Sequence, residues 1–111
     1  MQEYVLVLVT CPGEETAESI ARALVSERLA ACVNQVGGVE STYRWAGRVE
    51  TAGEILLLIK TTRAGYPALE QRVLELHPFD TPEVIAVPLA AGAARYLAWI
   101  EDAVGGGKPG E

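Results

Sequence analysis

Val39-Glu40-Ser41-Thr42-Tyr43-Arg44-Trp45-Ala46-Gly47-Arg48-Val49 alternates residue by residue between two faces. Val39, Ser41, Tyr43 and Trp45 fall on one side; Glu40, Thr42 and Arg44 fall on the other. A period of two is that of a β-strand. Ala46-Gly47 forms the turn, and Val49 begins the return. The strand period holds from Ala31 to Thr62, with Ile55 to Ile59 apolar on both faces. The whole stretch reads as one hairpin with long arms. Gly37-Gly38 on the way out and Gly53 on the way back mark bends or bulges.

Before the hairpin, Tyr4 to Val9 is an unbroken apolar run closed by Thr10-Cys11-Pro12-Gly13, the pattern of a buried strand. A helix follows, with Ala17, Ile20, Ala21, Leu24 and Val25 on one face. Glu14, Glu15 and Glu18 crowd its positive end, Arg28 lies near its negative end, and Glu18 with Arg22 makes an i,i+4 pair. After the hairpin a second helix begins near Tyr66-Pro67, presents Tyr66, Leu69, Val73 and Leu76 as its apolar stripe, and ends at Pro78. His77-Pro78-Phe79-Asp80-Thr81-Pro82-Glu83 is a turn stiffened by two prolines. Val84 to Leu89 is a fourth strand, with Pro88 marking an edge. A third helix runs from about Ala93 to Val104, and the Gly-rich residues 105–111 read as a loose tail. The order is β-α-β-β-α-β-α, whose first six elements are those of the split βαβ, or ferredoxin-like, α+β fold. An antiparallel sheet with helices on one face is expected, in a single domain over 1–104.

Composition sets the outer limits. The 111 residues suit one domain, and half of them are hydrophobic. A net charge of −6 without a dense basic stripe argues against nucleic acid. No apolar stretch reaches the ~20 residues that cross a bilayer. The residues Met1 to Tyr4 lack the basic region that opens a secretory signal, so a cytoplasmic location is expected. Cys11 and Cys32 are too few for a disulfide framework.

Two features call for self-assembly. Strands covered on one side alternate apolar and polar, and Tyr4–Val9 and Ile55–Ile59 do not. An arm of about fifteen residues, straight at ~3.3 Å each, would reach about 50 Å, against a radius of gyration near 13 Å for a ~100-residue domain. The aromatic tip must therefore fold back or project, and a sister subunit would cover it. A closed homo-oligomer is the expected form.

Glu27-Arg28-Leu29-Ala30-Ala31-Cys32-Val33-Asn34, Ser41-x-Tyr43-x-Trp45-x-Gly47, Lys60-Thr61-Thr62, His77-Pro78-Phe79-x-Thr81-Pro82-Glu83 and Tyr96-Leu97-x-Trp99 occur in this order across residues 4–104. Together they resemble the CutA family of divalent-cation tolerance proteins. The resemblance implies an intertwined homotrimer, related in form to the PII signalling proteins, and a role in tolerance of copper and other divalent cations. It also implies copper or another divalent cation as a ligand, with no metal required for folding. In the family, copper ligation involves a cysteine late in the first strand and a His-His pair before the proline. Here Val9 and Leu76 occupy the first two positions, leaving His77, with Cys11 two residues beyond Val9.

The candidate ligands are thus Cys11, His77 and Cys32. Cys11 is expected in the loop entering the first helix, where backbone donors favour a thiolate that binds a soft metal; as a free cysteine it could instead be buried. His77 could ligate a metal or cap a helix end by bonding a last-turn carbonyl. Cys32, among Ala30, Ala31 and Val33, could carry thiolate chemistry or fill the core. Glu54 and Glu83 offer carboxylates or solvated charge, and Tyr43 and Trp45 could stack on a ligand or pack in an interface. No P-loop, G-x-G-x-x-G or Ser/His/Asp set is present, so no catalytic residue is assigned. The first reading is a non-enzymatic metal-tolerance trimer. Its alternative is a PII-like small-molecule sensor with ligand clefts between subunits.

Overall fold

A computed structural model describes residues 3–105. The tail expected over 105–111 lies, apart from Gly105, outside the described residues. The elements are β1 (Tyr4–Cys11), α1 (Glu14–Ser26), β2 (Cys32–Trp45), β3 (Arg48–Thr62), α2 (Tyr66–Leu76), β4 (Val84–Pro88) and α3 (Ala94–Ala103). The strands form one sheet in the order β2-β3-β1-β4, antiparallel throughout. This is the ferredoxin-like arrangement expected from the element order.

Alternation along β1 sorts the sheet into two faces. Val5, Val7, Val9 and Cys11 are buried, as are Leu57, Ile59 and Thr61 on the neighbouring β3. They meet Ala17, Ile20 and Leu24 of α1 and Leu69 and Val73 of α2 in the core. Each large aliphatic side chain removed from water there contributes roughly 1.5–3 kcal/mol. Pro67 occupies the first turn of α2, where its missing donor costs no hydrogen bond. The helix stops before Pro78, with the His77 N–H still bonded to the Val73 carbonyl at 2.8 Å.

The opposite face holds Leu6, Leu8, Leu58, Ile85 and Val87, by the cross-strand register. Helix α3 covers one end of it. The Tyr4 hydroxyl donates to Glu101 at 3.1 Å, and Ile100 is fully buried. Ile85 and Val87 stay exposed.

The hairpin is as long as its period predicts, with Ala46 (φ 52°) and Gly47 (φ 78°) making the turn. One bulge interrupts it, between Val36 and Val39, where Gly38 takes φ 75°. Gly53, expected to bend the return arm, instead pairs in register with Glu40. Arg28 lies at the C-terminal end of α1, as expected, with its N–H bonded to the Val25 carbonyl at 3.1 Å. It adopts φ 62°, and its guanidinium also donates to the carbonyls of Asp102 (2.8 Å) and Gly105 (3.0 Å), closing α3. Carbonyls at a helix end lack intrahelical partners, and a guanidinium supplies them.

Candidate functional site

A cleft of about 910 Å³ opens between the outer half of the hairpin, the end of β1 and the 78–83 turn. Beyond the bulge, Ser41, Tyr43 and Trp45 alternate on β2, and Ala52 and Glu54 stand across from Ser41 and Val39 on β3. Period and register thus place Ser41, Tyr43, Trp45, Ala52 and Glu54 along one wall. The two-proline turn supplies the other wall, with Phe79, Asp80 and Glu83. Glu54, Asp80 and Glu83 give the lining three carboxylates, and no Lys or Arg appears among the described lining residues.

His77 holds this turn to the sheet. It is 6% exposed, and its ring lies 4.9 Å from that of Phe79. Its Nδ1 accepts from the Phe79 backbone N–H at 3.2 Å, which leaves Nε2–H to donate to the Thr10 carbonyl at 2.8 Å. The carbonyl it bonds belongs to β1, not to the last turn of α2. Both ring nitrogens are engaged, so a metal at either one would break a hydrogen bond of the fold.

Cys11 is not in the loop. It is the last residue of β1, 0% exposed within the core. Burial and the nearby Glu54 carboxylate push its thiol up to about 11, opposite to the lowering that a helix start would give. Cys32 opens β2 on the other face of the sheet, beside Lys60 of β3. It is half-buried rather than core, with the Lys60 ammonium 4.0 Å from its sulfur. Lys60 also donates to Asn34. Cys11 pairs with Ile55 and Cys32 with Lys60, five positions along β3 and roughly 16 Å apart at ~3.3 Å per residue. The three candidate ligands therefore do not converge. Among the described residues no group of three or more His, Cys, Asp or Glu side chains is placed to hold a metal ion. Lys60-Thr61-Thr62 ends β3: Thr61 donates to the Leu29 carbonyl at 2.8 Å, and Thr62 accepts from the Gly65 N–H at 3.0 Å.

Asp80 was not singled out by sequence as a site residue, although it lies inside the two-proline turn. What brings it to Trp45 and Glu54 is a contact distant along the chain, which no local pattern reports.

The fold and the cleft define a small ferredoxin-like α+β protein with an overlong hairpin, a half-uncovered sheet and an acidic, aromatic-lined groove. The chain belongs to the CutA1 divalent ion tolerance protein family, whose match spans residues 5–103. It is 52% identical over 100 residues to the divalent-cation tolerance protein CutA of Thermus thermophilus, covering 90% of this chain and 97% of that one. It is 47% identical over 92 residues to protein CutA of Mus musculus, covering 83% of this chain and 52% of the longer mouse protein. Among solved structures, the Thermus thermophilus protein superposes with a TM-score of 0.89 at 51% identity, covering 95% of this chain and 100% of that one. CutA from Xylella fastidiosa gives a TM-score of 0.90 at 48% identity, with 92% and 98% covered.

Proposed function

We propose that this chain serves divalent-cation tolerance as a non-enzymatic homotrimer that meets copper or another divalent ion weakly, in the cytoplasm. The tolerance role rests on family membership across residues 5–103. The observation that carries the assembly is the apolar sheet face of Leu6, Leu8, Leu58, Ile85 and Val87, which α3 covers only at one end. Exposed apolar surface of that kind is an association site. The number three follows from the family resemblance.

A resident metal centre of Cys11, His77 and Cys32 does not fit these residues. One thiol is buried and held protonated, the imidazole is bonded at both nitrogens, and the second thiol lies on the far side of the sheet. In this reading the ion is an external ligand that the protein meets rather than a resident part of the fold.

Light scattering combined with titration calorimetry tests the reading. A mass three times the chain's 11.9 kDa is expected. Cu(II) and Zn(II) should give weak heats that Cys11→Ser and His77→Ala leave unaltered. A monomeric mass would overturn the assembly. A tight copper site abolished by either substitution would reinstate the thiol and imidazole as ligands.

A further inference from the structure

The sheet face turned away from α1 and α2 carries opposite charges at its two ends. Leu57, Ile59 and Thr61 of β3 are buried in the core, so by alternation Glu54, Leu56, Leu58 and Lys60 share the other face. Lys60 is half-buried there. Its ammonium donates to Asn34 and lies 4.0 Å from the Cys32 sulfur. Among the described residues no carboxylate pairs with it. Helix α3 flanks this end: the Tyr96 hydroxyl hydrogen-bonds Cys32, and its ring lies 5.5 Å from that of Trp99, both rings exposed. At the other end Glu54 joins Asp80 and Glu83 in the cleft, with no Lys or Arg in the described lining. Arg48, at the hairpin tip, is held by Glu50 at 3.6 Å. Six positions of β3 separate Lys60 from Glu54, roughly 20 Å at ~3.3 Å per residue. That is about two Debye lengths at physiological salt, so the two charges do not pair within one chain.

Assembly through this face makes that separation consequential. An ammonium or a carboxylate covered by a sister chain without an opposite charge is strongly destabilising. A ring of three cannot be built from two-fold contacts, which join a patch to its own copy. Each chain must offer two different surfaces that fit one another. The two ends of this face are such a pair, one an ammonium beside two exposed rings, the other three carboxylates beside Tyr43, Trp45 and Phe79. We propose that the subunits meet head to tail, with the acidic cleft of each chain completed by Lys60 of the partner subunit. The cleft is then a seat for a second copy of this chain. The contact rests on the assembly proposed above and gives that assembly its direction.

Four full-length proteins test the contact: the parent, Lys60→Glu, the neutralised cleft Glu54→Gln/Asp80→Asn/Glu83→Gln, and the two changes combined. Each is read by light-scattering mass on dilution and by thermal midpoint at fixed concentration, with far-ultraviolet circular dichroism as the check of fold. Lys60→Glu sets like charges against each other and should raise the concentration needed for assembly about tenfold or more. Neutralising the cleft should weaken assembly in the parent and strengthen it in Lys60→Glu. That reversal of sign is the signature of a contact between the two ends. A Lys60 that serves only its own neighbours Asn34 and Cys32 would leave the neutralised cleft with the same effect in both backgrounds, and this would overturn the proposal. So would a Lys60→Glu protein that matches the parent in mass and midpoint. If Lys60→Glu loses its dichroism, Lys60→Gln takes its place, and the same reversal is expected because the carboxylates are then buried without a partner. A parent of monomeric mass overturns the assembly and this contact together, whereas a multimeric parent without the reversal overturns the contact alone.

Discussion

At the scale of single residues, environment rather than residue type sets the chemistry of Cys11 and His77. A thiol three residues before a helix invites the reading of an activated nucleophile, but the strand runs two residues further than its apolar stretch, and alternation turns Cys11 into the core. Burial raises its pKa from 9.0 to about 11. In the unfolded chain the thiol releases its proton first, so the folded state binds more protons between those values. Stability associated with Cys11 is therefore fully present below pH 9 and is lost as the pH rises toward 11. Urea unfolding from pH 8 to pH 10.5 should show a midpoint that falls above pH 9. In Cys11→Ala the fall should be shallower, although its midpoint starts lower at pH 8 for the lost packing. Parallel slopes for the two proteins would mean that the thiol titrates normally.

At the scale of elements, the hairpin was the most legible part of the sequence, because period-two alternation is a local signal that survives without its partners. Helix α2 was legible for a similar reason: Pro67 and Pro78 bracket it in the chain itself. The cleft was not legible as a cleft. The Ser41-x-Tyr43-x-Trp45 face and the two-proline turn each stood out, but the bulge at Gly38 and the β1 register that bring them together are long-range outcomes. The place of Arg28 at the end of α1 was legible, but its guanidinium partners, the Asp102 and Gly105 carbonyls, were not, since they lie at the other end of the chain. The turn itself carries a correctable strain. Ala46 sits at φ 52°, a left-handed conformation that costs most L-residues about 1–2 kcal/mol and that Asn tolerates better. Ala46→Asn, giving the Asn-Gly pair favoured in such turns, should raise stability by about 0.5–1 kcal/mol. Thermal unfolding at fixed protein concentration measures it. A lower midpoint would mean that the tip is held by contacts other than its own backbone geometry.

At the scale of the whole molecule, the chain is elongated, with extents of 49 × 26 × 22 Å and a radius of gyration of 14.8 Å, against about 13 Å for a compact domain of this length. That excess is the hairpin, which carries Trp45 and Val49 into solvent. The sheet adds Ile85 and Val87, exposed on the face that α1 and α2 do not touch. A net charge of −6 opposes association at long range, so the apolar face must outweigh it at contact for the proposed trimer to form. This balance makes assembly sensitive to one added charge at the right place. Ile85 pairs with Leu8 at the middle of the exposed face and is half-exposed in the single chain, so a glutamate there is tolerated by a monomer and buried only by a multimer. Ile85→Glu should lower the solution mass toward 11.9 kDa while leaving the far-ultraviolet circular dichroism intact. Subunits that bind only the folded state raise its apparent stability with concentration. The parent's thermal midpoint should therefore climb with protein concentration and the variant's should not. Equal masses and equal midpoints for the two proteins would place the contacts between copies somewhere other than this face.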